Sequence, residues 1–326
     1  MKNEIFKAAF QKPTFLKLTS LLESFDSQRP NQVRVLTYHQ IEDAHAFEQQ
    51  MDFLAQNCYV ASMIELIDAC QGHSILPPKS VVITFDDAYR NFEECAWPIL
   101  KSHYFSTSMF VPTAFPGNKE RIFWWDKLDY AFYQTRNCDP LQTPVGRLPL
   151  GTGDQRKHAF KRLRKYVKSL QHSQALVFVD QICERLNCAL PPPKVLSWDD
   201  LRHLAREGVT LGAHTQTHPL MNRISIQEAC DEVVGSLKDL QREIGITYPI
   251  FAYPDGQYTK EVVQGVKDAG FYLAFTTQRG TNNLSNADHF RMRRNNIGRQ
   301  ATQPILRTRL LQASVYLDHF RPIPGD

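Results

Sequence analysis

From Val33 onward, short apolar runs alternate with segments of helical length. Val33-Arg-Val-Leu-Thr-Tyr-His39 reads as a strand ending in polar residues. Phe47, Met51 and Leu54 then share one helix face, and Ile64, Leu66 and Ile67 a second, shorter helix. Val81-Val-Ile-Thr-Phe85 is a continuous apolar run of buried-strand length, followed at once by Asp86 and Asp87. A helix is expected over 91–102 and a strand over 106–111. Further on come a helix at 198–207, a strand at 209–213 and a long helix near 225–244. A strand at 250–253, a helix at 259–269, a strand at 271–276, a last strand near 289–297 and a terminal helix over 306–320 complete the pattern. Such alternation argues for an α/β fold with a parallel sheet, curled into a barrel.

Residues 116–197 break the rhythm. They hold Trp124-Trp125, a Gly/Pro-rich stretch over 139–153, and a basic helical segment, Arg156–Leu170, with seven Lys/Arg; Pro191-Pro-Pro193 closes the interval. This reads as a mostly helical insertion in a barrel loop. At the other end, Phe15, Leu18, Leu22 and Phe25 fall near helical spacing, which suits a helix docked on the barrel or one lying in a membrane plane. The expected organisation is an N-terminal helical extension (1–30), a barrel (31–300) carrying the 116–197 insertion, and a C-terminal helix (301–326).

Composition narrows this little. The chain of 326 residues, 42% hydrophobic and 22% charged, is an ordinary globular one, and single α/β barrels run roughly 200–300 residues. A formal net charge of +4 is compatible with an anionic substrate or a membrane surface and demands neither. Seven scattered cysteines without C-x-x-C spacing read as buried or half-buried thiols in a reducing compartment. Lysines at 2, 7, 12 and 17 interrupt every hydrophobic run of the N-terminus, and no stretch approaches the ~18 apolar residues of a membrane span. The expected location is cytoplasmic, with a peripheral place on the inner membrane face compatible.

The chemistry concentrates at strand ends, where parallel α/β folds build their active sites. Thr84-Phe-Asp-Asp87 puts two carboxylates side by side, which is costly unless positive charge separates their roles. A divalent cation does this: one carboxylate binds it while the other stays free as a base. Read alone, the pair is equally well a surface turn or a helix cap. Gly212-Ala-His-Thr-Gln-Thr-His218-Pro closes another strand with two histidines four apart, able to converge on one ion if a turn begins there. Phe251-Ala-Tyr-Pro-Asp-Gly256 ends a third strand in a tight turn whose N–H groups could face an oxyanion.

Together and in this order, TFDD, H-x-x-x-H-P and F-A-Y-P-x-G resemble the polysaccharide deacetylase superfamily (carbohydrate esterase family four, NodB homology) over roughly residues 33–297. Leu36-Thr-Tyr-His39 and Phe123-Trp-Trp-Asp126 resemble the branch associated with polysaccharide assembly. The resemblance implies a distorted (β/α) barrel of about seven parallel strands. It implies a divalent metal, usually zinc, on Asp87, His214 and His218, with Asp86 as general base. Backbone N–H near Asp255, in the Tyr253–Asp255 turn, would stabilise the oxyanion. The expected activity is metal-dependent removal of an acetyl group, N-linked above all, from a sugar; the expected partners are an N-acetylated glycan or a lipid-linked or nucleotide-linked sugar. Nucleic acid is disfavoured, because the basic run lacks interleaved aromatics.

The chain departs from the family pattern at several places. Ala88 stands where glycine is usual, Ala252 where an arginine orients the base, and Asp255 where tyrosine is usual. No C-terminal Leu-x-His supplies the general acid; His39 is the substitute candidate, or else a hydrogen-bonding group of the site wall. Arg293 and Arg294 could replace the arginine or face substrate or solvent. Trp124 and Trp125 either stack on a sugar ring or pack the insertion onto the core. An amidohydrolase acting on a small amide or ureide, and a non-catalytic glycan-binding protein on the same fold, stay open as alternatives.

Overall fold

The computed structural model describes residues 29–311 except 246. The sequence-predicted helix over 13–25 lies outside the described residues, as does the terminal helix beyond 311.

Seven parallel strands form a nearly closed barrel: β1 (Gln32–Tyr38), β3 (Ser80–Asp86), β4 (Thr107–Val111), β7 (Thr210–Ala213), β8 (Ile250–Ala252), β9 (Leu273–Phe275) and β11 (Arg294–Asn296). The order runs β1-β3-β4-β7-β8-β9, with β11 on the other side of β1 and a parallel bridge from Phe275 to Met292 bringing the ends together. Two-residue strands β2 (Tyr59–Val60) and β10 (Asn282–Asn283) extend the sheet beside β3 and β1.

Period-two alternation separates the two faces of this wall. Val33, Val35, Val82, Phe110, Ile250, Ala252, Leu273 and Phe275 fill the barrel, whereas Leu36, Ile83, Phe85, Met109, Leu211 and Phe251 face the helices outside. Towards the strand C-termini the inward positions turn polar: the Thr37 and Thr84 hydroxyls meet at 2.7 Å, and Asp86 follows on the same side. The barrel is thus dry below and polar above.

The helices α1 (Ala44–Asn57), α3 (Trp97–Ser102), α7 (Trp198–Arg206), α8 (Ile226–Ile244) and α9 (Lys260–Asp268) lie outside the barrel near the positions read from the sequence. Helix α2 (Met63–Cys70) packs Met63, Leu66 and Ile67 with the barrel interior and leaves Ile64 exposed, and α10 (Gln303–Leu310) starts three residues before the expected 306. Capping boxes at Ser62, Ser197 and Ser225 fix three of their starts. The helix expected over 91–102 begins instead as a π-turn, Phe92–Ala96. Pro98 has no N–H to give to the α register there.

The interval 116–197 is an insertion between β4 and α7, with a small apolar core of its own. It contains α4 (Trp124–Gln134), α5 (Gly153–Val167) and α6 (His172–Arg185), and a hairpin of β5 (Leu141–Thr143) and β6 (Gly146–Leu148) in the stretch read as Gly/Pro-rich loop. It returns to the barrel beside the site: Arg90 N–H donates to Lys194 O at 2.7 Å and Leu196 N–H to Ala88 O at 2.9 Å. All seven cysteines are free, with Cys138 exposed rather than buried. Among the described residues no helix is long and apolar enough to cross a membrane.

Candidate functional site

The C-terminal end of β3 carries both carboxylates. Asp86 ends the strand pointing inward; Asp87 and Ala88 then take left-handed backbone angles, φ 72° and 51°. That pair of angles turns the chain sharply out of the sheet. At Ala88 the cost relative to the expected glycine is about 1–2 kcal/mol, and Ala88 is fully buried. Two strands away, His214 leaves β7, its N–H donating to Val111 O at 3.0 Å. Thr215 and His218 are also left-handed, φ 65° and 58°, so the intervening loop curls back and returns the second imidazole to the first.

Asp87, His214 and His218 form the one group of three or more His, Cys, Asp or Glu side chains able to hold a metal among the described residues; their ligand atoms lie within 4.8 Å of one another. Asp87 Oδ1 is 3.3 Å from His218 Nε2 and 3.7 Å from His214 Nε2. This oxygen is buried and has no hydrogen-bond partner, a costly state for a carboxylate. His214 Nδ1 donates to Ala252 O at 2.7 Å, which fixes the tautomer and leaves Nε2 free as a ligand atom. Two N/O ligands about 2.1 Å from a tetrahedral ion sit roughly 3.4 Å apart, so these residues fit a divalent metal.

Electrostatics support the same division of labour. Burial holds the His214 imidazole down to about 4, so it is neutral, the ligating form, at physiological pH. Burial acts to raise the Asp87 carboxyl, but His218, His39 and His214 outweigh it and hold it well below the usual carboxylate range.

Asp86 has a different partner. Burial acts to raise its carboxyl too, but the Arg294 guanidinium keeps it below the ordinary value. Arg294 Nη1 and Nη2 donate to Asp86 Oδ1 and Oδ2 at 2.7 and 2.8 Å, and its Nε donates to Thr276 O at 3.0 Å. The arginine is 1% exposed and lies over the Phe110 ring at 5.5 Å. Arg294 therefore makes, from the far end of the chain, the contact to Asp86 expected of the arginine that Ala252 replaces. Arg293, the other candidate, donates to Arg279 O instead.

Comparison with known proteins now has a geometry to stand on. The polysaccharide deacetylase family model matches residues 73–274, more than half of the chain. The chain belongs to the polysaccharide deacetylase family. It is 20% identical over 262 residues to the Bacillus subtilis polysaccharide deacetylase-type protein YxkH, covering 78% of this chain and 67% of that one. It is 26% identical over 132 residues to the poly-β-1,6-N-acetyl-D-glucosamine N-deacetylase of Escherichia coli K12, covering 35% of this chain and 20% of that protein. The chain thus spans about a fifth of that relative's length. In fold it is similar to the Streptococcus pyogenes deacetylase PplD solved with acetate (TM-score 0.57, 19% identity, 85% of this chain and 97% of that one). IcaB from Ammonifex degensii is similar too (TM-score 0.58, 18% identity, 86% of this chain and 97% of that one).

Other expected site residues of this deacetylase-family chain divide clearly. His39 is half-buried and follows β1 directly, next to the end of β3 that carries Asp86 and Asp87, since Tyr38 pairs with Phe85. Trp125 is half-buried, with its ring centroid 4.9 Å from that of His218. Its Nε1 donates to Tyr89 Oη at 2.9 Å, and Tyr89 donates to Asp126 Oδ2 at 3.0 Å. Trp124 instead packs into the insertion's own core. Neither Tyr89 nor Asp126 was read as part of the wall, though Asp126 closes the quoted Phe123–Asp126 motif and Tyr89 lies two residues past TFDD.

Tyr253, expected in the substrate and oxyanion wall, is corrected: the structure does not bring its side chain to Asp87, His214 and His218. Along β8, Ile250 and Ala252 point inward, so Phe251 and Tyr253 face the helix layer. Tyr253 N–H donates to Phe275 O and its hydroxyl to Phe290 O, both at 3.0 Å. Asp255 lies outside the metal group, its carboxylate 2.5 Å from Lys168 Nζ at the end of α5. The turn itself forms as read, with Gly256 at φ 66° and so close to Thr277 that a Cβ would meet its hydroxyl at 2.2 Å.

Proposed function

We propose that this chain is a metal-dependent hydrolase that removes an acetyl group, N-linked above all, from a sugar of a glycan or glycan precursor. The observation that carries the reading is the separation of two adjacent carboxylates: Asp87 turned to the imidazoles of His214 and His218, Asp86 turned to Arg294.

Asp87, His214 and His218 would hold a divalent metal, zinc by the chemistry of the set. When bound, such an ion polarises a carbonyl and brings the pKa of water to about 7. Asp86, kept ionised and oriented by the Arg294 fork, takes a proton from the attacking water, worth roughly a hundredfold or more. His39, at the end of the strand next to β3, is the candidate to return a proton to the departing amine. Gly256 and Gln257 N–H close onto Tyr253 O and Pro254 O, so the Asp255 N–H is the turn's candidate donor to an oxyanion. The Trp125 indole, stacked on Phe123 and held beside His218, is the candidate aromatic to meet a sugar ring.

The name of the Escherichia coli relative makes β-1,6-linked N-acetylglucosamine the first substrate to try. Lipid-linked or nucleotide-linked sugars fit the cytoplasmic reading. The exposed cations of α5 would suit peripheral contact with the inner membrane face. The test is acetate release from an N-acetylglucosamine oligosaccharide by wild type and Asp86→Asn. Asp86→Asn should keep its metal and lose turnover; equal turnover in both proteins would refute the role of Asp86.

A further inference from the structure

The loop joining the two metal-ligating histidines is gripped by carboxylates of α8 that touch neither imidazole. Glu232 Oε2 accepts from two successive backbone amides, Gln216 N at 2.6 Å and Thr217 N at 2.8 Å, while its Oε1 accepts from Thr217 Oγ1 at 2.5 Å. Seven residues on, Asp239 Oδ2 accepts from Gln216 Nε2 and from Thr113 Oγ1, both at 2.7 Å. Thr113 belongs to the loop leaving β4, whose own amides complete the grip: Thr113 N–H donates to Thr215 O and Ala114 N–H to Gln216 O, each at 3.0 Å.

Positions 232, 235 and 239 share one helix face. Gly235 lies between the two acids because a Cβ there would come within 2.3 Å of Gln216 Oε1. Helix and loop therefore fit as one surface. The grip acts on a strained segment: Thr215 and His218 hold left-handed backbone angles, a state that persists only when its surroundings over-determine it. Inside the loop, His218 N–H donates to Thr215 Oγ1 at 3.0 Å, while His218 Nδ1 is buried without a partner. No hydrogen bond at Nδ1 aims the His218 ring, whose Nε2 faces Asp87 Oδ1 at 3.3 Å and whose flank meets Trp125. Its position depends also on the backbone that carries it, and that backbone is held from α8.

We infer that Glu232, supported by Asp239, is a positioning residue for the metal centre: it fixes the 215–217 backbone so that the His218 imidazole stays on the ligand set with Asp87 and His214. This rests on the metal-site reading above. Glutamine can keep the contacts, its amide oxygen taking the two N–H groups and its amide nitrogen donating to Thr217 Oγ1. Alanine cannot, and aspartate is one methylene too short.

The test measures Zn²⁺ affinity on metal-stripped protein by competition with a chromophoric chelator, alongside the absorption spectrum of the Co²⁺-substituted protein and the melting point of the metal-free form. Glu232→Ala should weaken Zn²⁺ binding about 10–100-fold and alter the Co²⁺ bands. Glu232→Gln should stay within about threefold of wild type, and Asp231→Ala, on the exposed side of the same helix, should be unchanged. If Glu232→Ala does not fold, Glu232→Asp takes its place with an expected loss of at least about fivefold. Wild-type affinity and spectrum in the folded alanine or aspartate variant, even with a lowered melting point, would make Glu232 merely structural and overturn the inference. A wild-type protein that binds no Zn²⁺ would refute the metal-site reading and this inference with it, whereas wild-type binding with unchanged variants refutes the inference alone.

Discussion

Arg294 and Asp86 are 208 residues apart in sequence and meet through two parallel hydrogen bonds of 2.7 and 2.8 Å inside the barrel. The contact links β3 to the last strand of the barrel, β11. It also separates the two adjacent carboxylates, because a carboxylate committed to a guanidinium fork stays ionised and fixed in orientation.

Removing one half of a buried pair strands the other. Arg294→Met should destabilise the protein by about 3–5 kcal/mol and lower turnover at least about tenfold. The pH dependence follows from the direction of the shift. A depressed carboxyl contributes stability that is present above its unfolded value, about 3.9, and lost as pH falls through the lower folded value. Denaturant titration of metal-free wild type and variant should therefore show a full difference at neutral pH that narrows in acid. A difference independent of pH would contradict the pairing.

The two tryptophans of the insertion should behave differently. Trp124 lies in the insertion's core, so Trp124→Ala should cost about 3–5 kcal/mol in denaturant titration. Trp125 is half-buried beside His218, so Trp125→Ala should act mainly on KM for oligosaccharide, raising it several-fold with a smaller loss of stability. Equal stability losses with unchanged KM would remove Trp125 from the sugar-binding wall.

Tyr253→Phe deletes a hydroxyl bonded to Phe290 O outside the barrel. Turnover should be unchanged and stability lower by about 1 kcal/mol, read by steady-state kinetics and melting. A hundredfold loss of turnover would return Tyr253 to the chemistry.

Much of the site was legible because its residues sit at strand ends behind apolar runs. Asp86, Asp87 and His214 follow such runs directly, His218 comes four residues after His214, and a (β/α) barrel gathers those ends on one face. Arg294 was visible only as one of two late arginines: β11 is three residues long, Arg-Asn-Asn, and carries no apolar signature to fix which side chain points inward. Tyr253 was misplaced for a related reason. The motif containing it faces the site, but strand alternation sends its odd members outward, and Ala252 rather than Tyr253 shares the interior with His214. The β5–β6 hairpin hides in a Gly/Pro-rich stretch whose short strands pair only with each other.

Metal content measured together with acetate release from an N-acetylglucosamine oligosaccharide, on wild type and His214→Ala, tests the central claim most directly. The expected result is close to one metal per chain and acetate release in wild type, with both lost in the variant. A wild-type protein that stays metal-free under replete conditions, or a His214→Ala variant that releases acetate at the wild-type rate, would contradict it.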